Sequence, residues 1–170
     1  MRKHEWEQAN TALVSAIIAV FDERASRVAH TGRLVDLPDG GMTVAMIGFA
    51  GETIRGMLAL SLPQSLVVRT CPVETTAYDD WRCELANLVV ARFKSALLKL
   101  GVTVHLGTPM LASGDNLCLE TMAVSAVVHR FESTEHETLY VVLDAVAEPL
   151  THLQPSEETS VAAAGDVVLF

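Results

Sequence analysis

The chain has 170 residues, 50% of them hydrophobic and only 5% aromatic, with a formal net charge of -9. That length and apolar content suit one domain with a sizeable core resting on Val, Leu, Ala, Ile and Met. The acidic balance argues against a nucleic-acid binder, which needs clustered Lys and Arg for phosphate, and an acidic surface repels anionic membranes.

Residues Glu5 to Ala29 read as a helix, with Leu13, Ile17, Ile18 and Phe21 at helical spacing and Asp22, Glu23 and Arg24 on the polar side. A short strand is predicted at Arg33–Asp36, followed by the turn signal Pro38-Asp39-Gly40-Gly41. Met42–Phe49 and Ile54–Leu62 read as two strands of a hairpin turning through Ala50-Gly51-Glu52-Thr53. A short helix is predicted at Pro63–Thr70 with Ser61 as its N-cap. After a loop with Pro72, a long helix runs from Thr76 or Asp79 to Leu100. Asp79 and Asp80 suit its N-terminus, Lys94 and Lys99 lie toward its C-terminus, and Gly101 closes it.

Three strands follow, at Val102–Leu111, Cys118–Glu132 and Leu139–Ala147, separated by turns at Gly114-Asp115-Asn116 and Ser133–Glu137. Residues 1–147 thus read as one domain. Residues 148–170 read as a tail, with Pro149, Pro155 and Ser156 before an apolar end at Val167–Phe170. Helices and strands come in runs, which predicts an α+β fold: a mostly antiparallel sheet packed against two long helices.

The cysteines, Cys71, Cys83 and Cys118, are odd in number and form no CxxC, which points to a reducing compartment. No apolar run follows the basic start, and no apolar stretch is long enough to span a bilayer, so a cytoplasmic protein is expected. None of the six histidines falls in a metal-binding spacing, and there is no GxSxG or phosphate-cradling glycine loop. No metal of its own is expected.

The most informative segment is Glu84-Leu85-Ala86-Asn87, in the long helix. At 100° per residue, Leu85, Ala86, Val89, Phe93, Ala96, Leu97 and Leu100 share one side and should bury. Glu84, Asn87, Ala91, Lys94 and Ser95 share the other, with Leu88 and Leu98 as apolar shoulders suited to a protein partner. Asn is neutral and cannot be a general base, but its amide donates and accepts at once and so can orient a water. Glu84 can act as an acid or base, or grip a partner's cation. The pattern is also common on plain solvated helix surface.

The run from Asp80 to Lys94, with Glu84, Asn87 and Lys94, resembles the signature helix of the CheX/CheC/FliY chemotaxis phosphatases. Leu100-Gly101 and Leu106-Gly107-Thr108-Pro109 resemble that family's following strand, and the hairpin stands where the family has its first. The likeness covers residues 5–147 and is nearest the CheX branch. It implies dephosphorylation of a phosphorylated, CheY-like response regulator. Asn87 would orient the attacking water and Glu84 would pair with a lysine of the regulator. Leu88, Ala91, Lys94 and Leu98 would complete the docking face. Mg2+ would belong to the regulator. The family often dimerises by joining sheets. One departure stands out: Ala91 replaces the family's Gly. The alternative reading is a catalytically silent adaptor that binds a receiver domain or a motor-switch protein. Some members carry a second such pair, for which Glu7 and Asn10 are the candidates.

Overall fold

A computed structural model describes residues 3–38, 42–72, 77–115, 117, 119, 121, 123 and 126–146. The elements are α1 (Lys3–Asp22), β1 (Val28–Leu34), β2 (Met42–Gly51), β3 (Arg55–Ser61), α2 (Gln64–Thr70), α3 (Tyr78–Lys99), β4 (Val104–Leu106), β5 (Met110–Gly114), β6 (Val127–Ser133) and β7 (Thr138–Val146). The seven strands form one sheet in the order β1-β6-β7-β3-β2-β4, with β5 also on β2. The pairings are antiparallel. Among the described residues three helices occur: α1 and α3 are long, and α2 is a seven-residue connector within the short helix expected at Pro63–Thr70.

The helices cover one face of the sheet. Leu13, Ile17 and Phe21 of α1 join Leu85, Val89, Phe93 and Leu97 of α3, packed on Ile47, Leu58, Val141 and Leu143. Each fully buried side chain of this size contributes about 1.5–3 kcal/mol of transfer free energy. Phe49 and Phe93 meet edge-to-face at 6.0 Å, which fixes the rotation of α3 over the sheet. On the opposite face a smaller cluster of Val44, Ala59, Val128 and Val142 is covered in part by Leu117 and Leu119.

Several predicted boundaries move. The first helix stops at Asp22, seven residues early. Ala25 turns into the left-handed region at φ 54, and Ser26 N–H donates to Phe21 O at 3.1 Å. That releases Val28–Leu34 to pair with β6, so the strand expected at Arg33–Asp36 starts earlier and stops before the exposed Val35. The strand expected at Val102–Leu111 is broken in two. β4 pairs with Phe49–Gly51 and β5 with Met42–Met46, along the same edge of β2. Between them Gly107 N–H donates to Gly48 O at 2.8 Å, and Pro109 has no N–H to continue the ladder.

Ser61 does not cap α2. It ends β3, paired with Val44 and Tyr140, and Pro63 is the cap residue without a side-chain hydrogen bond. The last two strands begin at Val127 and Thr138. Cys118 and the tail from residue 148 lie outside the described residues. Among the described residues no helix is long and apolar enough to cross a membrane.

Candidate functional site

α3 is built as a rigid rod with one free side. Asp79 and Asp80 occupy its first turn and Lys99 its last, each matching the local sign of the helix dipole. Its end is a Schellman closure: Val102 N–H donates to Leu97 O at 2.9 Å and Gly101 N–H to Leu98 O at 3.0 Å, with Gly101 at φ 79. Leu85, Ala86, Val89, Val90, Phe93 and Leu97 are buried. Leu100, expected in that stripe, is half-exposed because the helix has already ended, and Ala96 is only partly buried.

The other side carries the candidate pair. Glu84 is exposed and Asn87 partly buried. Asn87 Nδ2 lies 3.5 Å from Glu84 Oε2, at the outer limit of a hydrogen bond, so the amide and the carboxylate are side by side and only weakly engaged. Ala91 is exposed, Lys94 is half-buried, Leu88 packs on the core, and Leu98 stands out in solvent. Ser95 Oγ donates back to Ala91 O at 3.0 Å.

Sequence reasoning did not include α1 in this surface. Ala12, Ser15 and Ala19 of α1 and Leu88, Ala91 and Ser95 of α3 line a shallow groove of about 470 Å³ between the two helices. The signal was the run of small residues at helical spacing in α1. The groove end is tied by an ion pair between Arg92 and Glu23.

The Glu7/Asn10 run is not a second surface pair. Asn10 is fully buried. Its Nδ2 donates to Trp6 O at 2.9 Å, which turns Oδ1 toward His129 Nε2 at 2.8 Å. That acceptor fixes the His129 proton on Nε2, leaving Nδ1 to accept from His30 Nε2 at 3.2 Å. Burial, with the neighbouring His30 and Arg33, lowers the His129 pKa to about 4. Glu7 is engaged too, by both Nη atoms of Arg33 at 3.0 and 3.3 Å. An amide spent inside the protein cannot orient a partner's water.

Among the described residues no group of three or more His, Cys, Asp or Glu converges as a metal site. Cys71 and Cys83 are free thiols, and burial, then Asp80 and Asp79, push the Cys83 thiol up.

No family model matches the sequence, and no curated protein matches it either. Solved structures do match. The chemotaxis protein CheX from Vibrio vulnificus superposes with a TM-score of 0.70 at 14% identity, over 81% of this chain and 99% of that one. A CheC-like superfamily protein from Shewanella sp. PV-4 gives 0.69 at 18% identity, over 86% and 100%. A chain of the CheX–CheY–BeF3–Mg2+ complex from Borrelia burgdorferi gives 0.63 at 12% identity, over 80% and 96%. The chain has the fold of the CheX/CheC-like chemotaxis proteins.

Proposed function

We propose that this chain is a CheX-type phosphatase that docks a phosphorylated, CheY-like receiver domain on the outer face of α3 and hydrolyses its phosphoaspartate. The carrying observation is the adjacent Glu84 and Asn87, open to a partner on a helix anchored along its opposite side. The fold likeness includes a CheX bound to CheY with BeF3 and Mg2+, which supports a receiver as the partner.

A phosphoaspartate is an acyl phosphate and already labile, so a positioned water is the main thing a second protein need supply. Asn87 would accept one water proton on Oδ1 and hold the oxygen in line with phosphorus. The new P–O bond forms as the bond to the aspartyl oxygen breaks. The products are inorganic phosphate and a free carboxylate. Phosphoryl-transfer sites use a Gln amide in the same way. Glu84 would take the regulator's lysine, while Leu88, Ala91, Lys94 and Leu98 form the docking surface. The receiver holds the Mg2+ that offsets phosphoryl charge; this chain contributes no cofactor. The protein would work in the cytoplasm, and a homodimer joined through the edge strands β1 or β4/β5 of the described sheet would fit this reading.

Ala91 favours one second reading. Its methyl stands on the docking face where the family has Gly, so the chain would bind a receiver or a motor-switch protein without turnover. Decay of receiver phosphate, measured with and without the chain, decides between them. Faster decay that disappears in Asn87→Ala supports the phosphatase. Binding with unchanged decay supports the adaptor. No binding to any receiver removes the phosphatase, and no binding to a motor-switch protein either removes the adaptor.

A further inference from the structure

A cleft of about 770 Å³ opens at the end of the sheet where β3 runs into α2. Its walls include Ser61, Gln64, Arg82, Asp115, Thr138 and Tyr140. Met42, Leu62 and two prolines supply apolar wall, and Ser61, Thr138 and Tyr140 add half-buried hydroxyls, so the lining is mixed and holds several donors.

Arg82 is the unusual wall. It is only 4% exposed. Its Nη1 donates to Leu62 O at 2.6 Å and its Nη2 to Gln64 Oε1. A guanidinium has five N–H groups, so these two bonds leave it under-satisfied. Nε has no hydrogen-bond acceptor among the described residues. The nearest carboxylate, Asp79, stands 3.7 Å from Nε but is 74% exposed, so solvent screens it. Burial weakens the hold of Arg82 on its proton and Asp79 offsets only part of this, yet a guanidinium stays charged. Among the described residues no buried counter-ion pairs this cation, which borders the cleft, and a buried charge is costly unless paired.

We propose that this cleft binds a small ligand bearing one oxyanion, a carboxylate or a phosphate. Its oxygens take guanidinium protons that Leu62 and Gln64 leave free, and the hydroxyls of Ser61, Thr138 and Tyr140 hold the remainder. Asp115 shares the lining, so the ligand carries its negative charge at one end. Arg82 lies two residues before Glu84, on the opposite side of α3. The cleft is thus distinct from the docking face, and a ligand there would press on the same helix from behind.

The test is a pair of titrations of the full chain, one with sodium acetate and one with inorganic phosphate, at ionic strength held constant with chloride. Two-dimensional 1H–15N spectra are the readout. Saturable shifts at the amides of Ser61, Gln64 and Thr138 and at the Arg82 Nε–H support the site, and the anion that saturates at lower concentration identifies the headgroup. Tyr140→Phe and Ser61→Ala keep the Arg82 bonds intact and should each weaken binding about threefold to tenfold, the scale of one lost hydrogen bond. Arg82→Gln should abolish saturation; should it fail to fold, the two hydroxyl variants carry the test. Shifts that remain linear with both anions, or saturation unchanged in both hydroxyl variants, overturn the proposal and leave Arg82 as a clamp on the β3–α2 corner.

Discussion

His129 Nε2 stands 2.8 Å from Asn10 Oδ1 in the interior, joining α1 to β6 across 119 residues of sequence. This contact separates the two Glu-x-x-Asn runs: one asparagine is spent holding the fold together and the other is left on the surface. Asn10→Ala would strand the His129 N–H, a buried donor, at a cost of about 1–3 kcal/mol. Urea denaturation should show that loss. Receiver dephosphorylation per folded molecule should stay at the parent rate, and a fall in that rate would return Asn10 to the site.

The burial of His129, with His30 and Arg33 beside it, sets an acid limit on stability. His129 has a folded-state pKa of about 4, below its ordinary 6.5. The unfolded chain therefore binds a proton that the folded chain refuses between those values. Stability is fully present above about pH 6.5 and is lost as pH falls toward 4, by roughly 3 kcal/mol in all. His30, lowered by burial and by Arg33, adds in the same direction. Urea midpoints followed from pH 7.5 to pH 4 should decline over this window, and the decline should flatten in His129→Gln. An equal slope in that variant would assign the acid sensitivity elsewhere.

Asn87→Ala should lower receiver dephosphorylation by about 10²–10³-fold, the range for removal of one positioned polar group. Stability should move by no more than about 0.5 kcal/mol, since the side chain lies on the free side of α3. Glu84→Gln should act differently. The receiver concentration for half-maximal rate should rise about fivefold at low salt and the maximal rate should change less, as for a rim ion pair. Steady-state rates against receiver concentration at two salt levels separate these outcomes.

Ala91→Gly restores the residue of the resembling family. It should destabilise α3 by about 1 kcal/mol through helix propensity. Removing the exposed methyl should also let a partner backbone approach, tightening receiver binding measured by titration calorimetry. Weaker binding would mean that the methyl is part of the contact.

Gly56 is held to glycine by space. A Cβ there would meet Asp144 O at 2.3 Å and the Ala145 Cα at 2.6 Å, both on the paired strand β7. Because those are strand atoms, relief requires the β3–β7 ladder to part. Gly56→Ala should cost more than about 2 kcal/mol in urea unfolding. A neutral effect would show that the ladder gives way freely.

The sequence by itself determined the elements governed by local chemistry. The β2–β3 hairpin and the course of α3 follow from residue periodicity, and Gly101 marks the end of α3 because a left-handed closure favours glycine there. The outward side of α3, with Glu84 and Asn87, followed from the helical wheel alone. The burial of Asn10 is legible in the same way, since it shares a helical stripe with Leu13 and Ile17. Tertiary structure decided what depends on partners far along the chain. α1 ends at Asp22 because residues from Val28 are taken up by β6. The strand after α3 breaks because two stretches of β2 compete for it across Gly107 and Pro109. Arg82 is buried because Leu62 and Gln64 are brought to it. Periodicity reports which side of an element is apolar; which distant group meets that side is fixed only when the chain closes on itself.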